Sequence, residues 1–341
     1  MRKRIARILA MSDFSAAVLP RRKFLLLAAS ATALPARPST AEAQVYPSHS
    51  ARLIVPFPPG GPNDVLARLI GQWLHERLGQ PFIIDNRPGA GGNIGTEAVV
   101  KAAPDGYTLL LINSNHTVNA TLYDRLNYNF IRDIVPVAPI IHLPLVVVLN
   151  PLVPAKTLLE FIAHAKANPG KLNYASVGNG STPHVAGELF KMMTGIDLVH
   201  VPYRGGVPAV TDLISGQVQA MFIVPGLVTE HIKAGKLRAV AVTSATRSDV
   251  LPDVPTVNSI VKGYDATTWF GIGAPKNTPS GIVDKLNKEI NAALADPKIK
   301  AQLADLGGTS LTLSPAEFAK LIADDTEKWG NVIRAANIKP E

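Results

Sequence analysis

The sequence predicts an α/β protein of two lobes, each a largely parallel sheet flanked by helices. Three observations lead there. From residue 51 onward, short apolar runs alternate with segments whose apolar residues recur at helical spacing. The same order of strand, glycine turn and helix runs from residue 52 and again from residue 171. Once a basic leader is set aside, about 300 residues remain, more than a single hydrophobic core usually organises.

The first unit opens with a strand at 52–57, the turn Pro58-Pro59-Gly60-Gly61-Pro62-Asn63-Asp64, and a helix with Leu66, Leu69, Ile70, Trp73 and Leu74 on one face, stopped at Gly79. A strand at 81–84, the turn Gly89-Ala90-Gly91-Gly92-Asn93, a helix at 96–103 closed by Pro104-Asp105-Gly106, and a buried strand at 107–112 complete it. Such alternation implies right-handed crossovers and parallel pairing.

The second unit repeats the order: strand 172–175, the Gly178 turn, helix 183–194 ended by Gly195, strand 197–201, a helix from Arg204-Gly205-Gly206 through Val210, Leu213 and Ile214 to Gly216, and strand 218–223. Apolar connectors at 143–149 and 263–275 join the units, and helices at 280–295, 297–306 and 315–336 are expected to return to the first lobe. The predicted division is 44–145 with 271–341 as lobe one and 146–270 as lobe two, so the chain crosses twice.

Residues 1–43 hold eight of the 34 basic residues and two of the 26 acidic ones, leaving 26 against 24. The formal net charge of +8 falls to +2 without them, and no nucleic-acid partner is indicated. Arg21-Arg22-Lys23, an apolar run to Leu34 and Ala41-Glu42-Ala43 read as an export signal cleaved near Ala43, the paired arginines suiting the twin-arginine route over the general one. That run is shorter than the ~20 residues of a membrane span. Met11 is an alternative start. With no cysteine, disulfides, thiolate nucleophiles and cysteine metal sites are excluded together.

Chemistry concentrates in three glycine turns, the one at Gly60, Gly178-Asn179-Gly180-Ser181-Thr182-Pro183, and Tyr203-Arg204-Gly205-Gly206-Val207-Pro208, each between a strand and a helix start. Free amide hydrogens at a helix start seat an anion. The first two turns lack Lys, Arg and any Gly-Lys-Ser/Thr, which favours a carboxylate over a nucleotide triphosphate. Gly89-Ala90-Gly91-Gly92-Asn93-Ile94-Gly95 has the wrong spacing for a dinucleotide fingerprint, and the strand after it runs into Asn113 rather than an acid. No His-x-His or His-Glu-x-x-His spacing supports a metal, and Ser181 lacks the Gly-x-Ser-x-Gly elbow of a serine hydrolase.

Five segments carry a further signal: Val55-Pro56-Phe57-Pro58-Pro59-Gly60-Gly61-Pro62-Asn63-Asp64, Asp85-Asn86-Arg87-Pro88-Gly89-Ala90-Gly91-Gly92-Asn93-Ile94-Gly95, Pro104-Asp105-Gly106-Tyr107, Gly178-Asn179-Gly180-Ser181, and His200-Val201-Pro202-Tyr203-Arg204-Gly205-Gly206. In this order they resemble the Bug family, extracytoplasmic solute receptors of tripartite tricarboxylate transporters. The resemblance implies a two-lobed (type II) periplasmic binding fold that closes on a small carboxylated solute, without cofactor or metal. It also implies a monomer that delivers its solute to membrane permease components. By motif position it points to Gly60, Gly61, Gly178, Ser181 and Thr182 as carboxylate contacts.

The full candidate ligand set adds Phe57, Asn63, Asp64, Ser114, Asn115, Ser176, Asn179, Gly180, Tyr203, Arg204, Gly205 and Asp212. Ordinary roles compete for most of them. Glycine serves turns, Ser181 and Thr182 suit a helix cap, Asp64 and Asp212 suit a first helical turn, Arg204 suits solvent, Phe57, Tyr203 and Trp269 suit a core, and Ser114 and Asn115 suit a loop. Either acid, if it faced the solute, would favour an amino or hydroxyl group. Two other outputs fit the same chain: a ligand sensor of the same fold, and an extracytoplasmic hydrolase using Ser181 and His184.

Overall fold

The computed structural model describes residues 46–248 and 251–340. The expected export signal at 1–43, with its cleavage site near Ala43, lies outside the described residues.

In chain order, β1 (Ala51–Val55), α1 (Pro62–Leu78), β2 (Phe82–Asn86), α2 (Asn93–Val100), β3 (Thr108–Asn113), α3 (Ser114–Leu122), α4 (Phe130–Asp133) and β4 (Ile134–Pro144) come first. Next are β5 (Val146–Leu149), α5 (Leu158–Ala167), β6 (Asn173–Ser176), α6 (Thr182–Thr194), β7 (Val199–Pro202), α7 (Gly206–Ser215), β8 (Ala220–Ile223), α8 (Thr229–Lys233) and β9 (Arg238–Val242). Then follow β10 (Thr267–Pro275), α9 (Ser280–Ala295), α10 (Pro297–Asp305), β11 (Thr309–Ser310) and α11 (Pro315–Ala335). Among the described residues, no helix is long and apolar enough to cross a membrane.

Two sheets result, one in the order β11-β4-β10-β3-β1-β2 and one in the order β7-β6-β8-β5-β9. The two-lobed α/β fold is as expected. Parallel pairing is confined to β2-β1-β3 and β7-β6-β8, so both sheets are mixed. The cause lies in the connectors. The expected crossover segments are strands themselves, and β5 and β10 each run antiparallel to both of the neighbours they lie between.

Helices cover both faces of each sheet. Leu66, Ile70 and Leu74 of α1 pack with Leu286 and Ile290 of α9 on one face of the first sheet, while Val99, Phe318 and Ile322 cover the other. In the second lobe, Phe161, Phe190 and Phe222 form one core and Val210, Leu213 and Met221 another. The last helices return to the first lobe as expected for α9 and α10. Helix α11 does more: Trp329, Val332 and Ile333 from its second half are buried in the Phe161 core.

Candidate functional site

At the first turn, the Asp64 carboxylate accepts the Gly60 amide at 3.0 Å and a two-pronged pair from Arg68, Nε and Nη2, each at 3.0 Å. The Arg68 hydrogen bond holds the Asp64 carboxyl below the usual carboxylate range. Asp64 is therefore committed to the turn rather than aimed at a solute. Helix α1 starts at Gly61 with Pro62 behind it and no side-chain cap, which leaves its first amides to be satisfied from outside the helix. Phe57 is half-buried, and its carbonyl accepts from Asn86 Nδ2 at 3.1 Å.

The first turn connects to the start of α3. Asn63 Oδ1 accepts from Asn113 Nδ2 at 2.9 Å. Asn113 is the N-cap of α3: its Oδ1 accepts the Asn115 amide at 3.1 Å, and His116 Nδ1 accepts the Asn113 amide at 3.1 Å. Ser114 and Asn115 are therefore not loop residues, as one of their two sequence readings held, but the first turn of a helix. The capping signal was hidden because histidine, not Glu or Gln, completes the box. Burial pushes His116 down to about 4, so it is neutral and suited to accept.

Across the lobes, Ser114 Oγ lies 3.0 Å from Thr182 Oγ1 and 2.7 Å from Thr268 Oγ1, and Thr182 Oγ1 donates to Asn115 Oδ1 at 2.9 Å. Beside these bonds Gly180 passes against α3. A Cβ there would run into Leu122 Cδ2, and φ is +70°, so only glycine suits the position. Gly61 has open space around it and an ordinary φ of −86°.

In the second turn, Ser181 stands at the N-cap of α6 but its hydroxyl donates back to the Gly178 carbonyl at 2.7 Å, and no side chain caps the helix. The expected capping role of Ser181 is thus replaced by bracing of the turn. Ser176 Oγ donates to the Gly178 carbonyl at 3.0 Å, and the Gly178 amide donates to Ser176 Oγ at 3.2 Å. Asn179 is half-buried beside them.

The third turn lies next to the second, since the Tyr203 amide donates to the Ser176 carbonyl at 3.0 Å. Tyr203 OH donates to Asp212 Oδ2 at 2.8 Å, and burial, then Asp212, pushes the phenol up to about 12. Asp212 is spoken for, as Asp64 is, but it lies beyond the first turn of α7 (Gly206–Ser215) and not in it as the sequence suggested. Arg204 is exposed and in no ion pair among the described residues, and Gly205, at φ +115°, opens α7 without a side-chain cap. Hydrogen bonds thus tie the first turn to the start of α3 through Asn63 and Asn113, and that start to the second turn through Asn115 and Thr182, while the third turn lies beside the second through the Tyr203–Ser176 backbone bond.

Ser181 and His184 do not form a nucleophile and base. The Ser181 hydroxyl is engaged by Gly178, and His184 Nδ1 accepts the Gly180 amide at 3.0 Å. Ser176 does sit 2.7 Å from His200 Nε2, but it is fully buried, out of reach of a substrate. Two surface cavities, of 360 Å³ near His164 and Lys171 and of 220 Å³ near Asp124 and Arg334, lie on segments outside the three turns. Sequence reasoning missed Asn113, Thr268 and His184 as a turn partner, none of which follows a motif with recognisable spacing, and it named His200 within a family segment without giving it a role.

Residues 66–338 match the family described as Tripartite tricarboxylate transporter family receptor, TctC. The chain is 41% identical over 302 residues to Protein BugT of Bordetella pertussis, covering 87% of this chain and 92% of BugT. Among solved structures it is similar to R. palustris Rpa4515 with adipate, at 34% identity and a TM-score of 0.79 over 87% of this chain and 100% of that one. It is also similar to MatC from Rhodopseudomonas palustris with bound malate, at 32% identity and a TM-score of 0.75 over 84% and 100%.

Proposed function

The chain belongs to the tripartite tricarboxylate transporter receptor family, and from that premise we propose that it captures a small carboxylate in the periplasm, unaltered, and delivers it as a monomer to membrane permease components. One observation carries the reading. Helices α1, α6 and α7 all begin at glycine turns without a side-chain cap, the first two turns each bond to the start of α3, and the third turn lies beside the second. Uncapped amides at helix starts favour an anion.

In this reading the uncapped amides at the starts of α1, α6 and α7 receive the solute. Because Asp64 and Asp212 are already bonded, neither supports an ammonium group, which favours acids without one. Arg204 takes the distal carboxylate of a diacid, in keeping with the adipate and malate of the structural relatives. Lobe one is taken as 44–145 with 271–341, lobe two as 146–270, and the leader as removed near Ala43.

Four charge-assisted bonds supply about 6–12 kcal/mol. Association costs at least about 4 kcal/mol, so what remains is micromolar binding at best. Tighter capture requires the lobes to shut on the solute and exclude water.

A thermal-shift and calorimetry panel of mono-, di- and tricarboxylates, amino acids and aromatic acids tests the proposal. Stabilisation by an intact di- or tricarboxylate, with loss of its uptake in a strain lacking the protein, is the expected result. No response to any acid, or turnover of an ester or amide, would overturn it.

A further inference from the structure

We propose that the stacked imidazoles of His184 and His200 are positioning residues that hold the Gly178–Gly180 turn in its binding shape, and that protonating the stack releases the turn. The inference rests on the receptor reading only for its effect on solute. The geometry stands without it.

The two rings lie 3.7 Å apart at 8° to one another. His184, on α6, is 5% exposed, and His200, on β7, is half-buried. Each grips one end of the same turn. His184 Nδ1 accepts the Gly180 amide at 3.0 Å. An amide can only donate, so Nδ1 carries no proton and the ring hydrogen sits on Nε2. His200 Nε2 lies 2.7 Å from Ser176 Oγ, which bonds both the amide and the carbonyl of Gly178. Gly178 and Gly180 have φ of +125° and +70°. Glycine adopts such conformations freely but is not confined to them, so the restraint comes from neighbours.

The surroundings favour the neutral stack. Tyr174 of β6 faces both rings, at 5.0 Å from His200 and 6.5 Å from His184. Glu188 and Lys191 of α6 are the nearby charged groups, and the carboxylate is already engaged, by Tyr174 OH at 2.6 Å and by Lys191 Nζ at 2.9 Å. Burial, then the Lys191 charge, pushes His184 down to about 4. Burial, then His184 itself, pushes His200 down to about 3. A proton on His184 Nδ1 sets donor against donor at the Gly180 amide. That bond breaks and the turn must move.

Two variants of the full chain separate positioning from packing. In His184→Asn the amide oxygen falls where Nδ1 was and accepts the same hydrogen. In His184→Leu the volume stays but the acceptor is gone. Adipate and malate affinity is measured by calorimetry at neutral pH and at about pH 3.5. The Gly180 amide resonance is followed over the same range by NMR in the free protein. Loss of the acceptor in His184→Leu is expected to weaken binding about tenfold or more. His184→Asn should restore most of that affinity and lack the acid-side loss that the unsubstituted protein shows beyond the titration of the acid itself.

The Gly180 resonance should titrate with the His184 ring. A Gly180 resonance indifferent to that titration, or His184→Leu binding as tightly as the unsubstituted protein, overturns the inference. If no acid of the wider panel binds, the receptor reading fails, while the Gly180 titration still decides this one. Should His184→Leu fail to fold, His184→Asn and the resonance carry the test.

Discussion

Trp269 Nε1 donates to Asp325 Oδ2 at 2.9 Å, tying β10 to α11 through a carboxylate that is 5% exposed. The same side chain pairs with Lys328 at 2.8 Å. Because the far end of α11 is sunk in the second lobe's core, this acid fixes how a helix shared by both lobes leaves the first. Asp325→Ala strands a buried indole donor, and the expected cost is about 1–3 kcal/mol. Asp325→Asn keeps an acceptor and should cost less. Chemical denaturation of both variants checks the order, and equal losses would show that packing rather than the hydrogen bond matters.

Gly61 and Gly180 separate seat from scaffold. Gly61→Val meets open space at an ordinary φ, so stability should stay within about 0.5 kcal/mol of the parent while carboxylate affinity falls. Gly180→Val meets Leu122 at a positive φ and should lose about 1–3 kcal/mol of stability as well. Paired thermal melts and calorimetry read both quantities. Intact binding in Gly61→Val removes the first turn from the site.

The hydroxyl contact between Ser114 and Thr182 is open to a double-mutant cycle. Ser114→Ala and Thr182→Val should each destabilise the contact between lobes, with a coupling on the order of 0.5–1.5 kcal/mol from the bond at 3.0 Å. Strict additivity would mean that the two lobes do not meet there in solution.

Stability should fall on acidification. His116 and His184 are held near 4 and His200 near 3, all below the ordinary 6.5. The unfolded chain therefore binds protons that the folded chain refuses once the pH drops below about 6.5, and the loss grows until the folded values are reached. Each imidazole contributes on the order of 1–3 kcal/mol to that loss. Denaturant midpoints between about pH 7 and pH 4 measure it, and His116→Gln should flatten the curve. A midpoint that rises on acidification would contradict the burial of these rings.

Much of the architecture was legible because it rests on local signals. Leu66, Ile70 and Leu74 announce α1 by spacing, Gly79, Gly195 and Gly216 end their helices in left-handed conformations, and the glycine turns fall where expected. Helix α3 was not legible, because Asn113 and His116 cap it in an unusual pairing and its residues Ser114, His116 and Thr117 are polar yet buried. Nor were the strand roles of β4 and β10, whose Pro136, Pro139 and Gly271 read as breakers but sit at an irregular antiparallel pairing. The candidate turns could be named from composition. Their partners could not, since Asn63 to Asn113 and His184 to His200 are brought together only by the fold.

The place of β10 bears on how the molecule is made. It lies between β4 and β3 in the first sheet, whereas the second sheet is drawn wholly from residues 146–242. During synthesis the second lobe has all its strands before the first has its middle one. Until residue 275 emerges, β3 and β4 each present a bare apolar edge to any neighbouring chain, the kind of surface on which aggregation starts. Substitutions that delay capture of β10 should therefore lower the yield of soluble protein more than they lower the stability of molecules already folded.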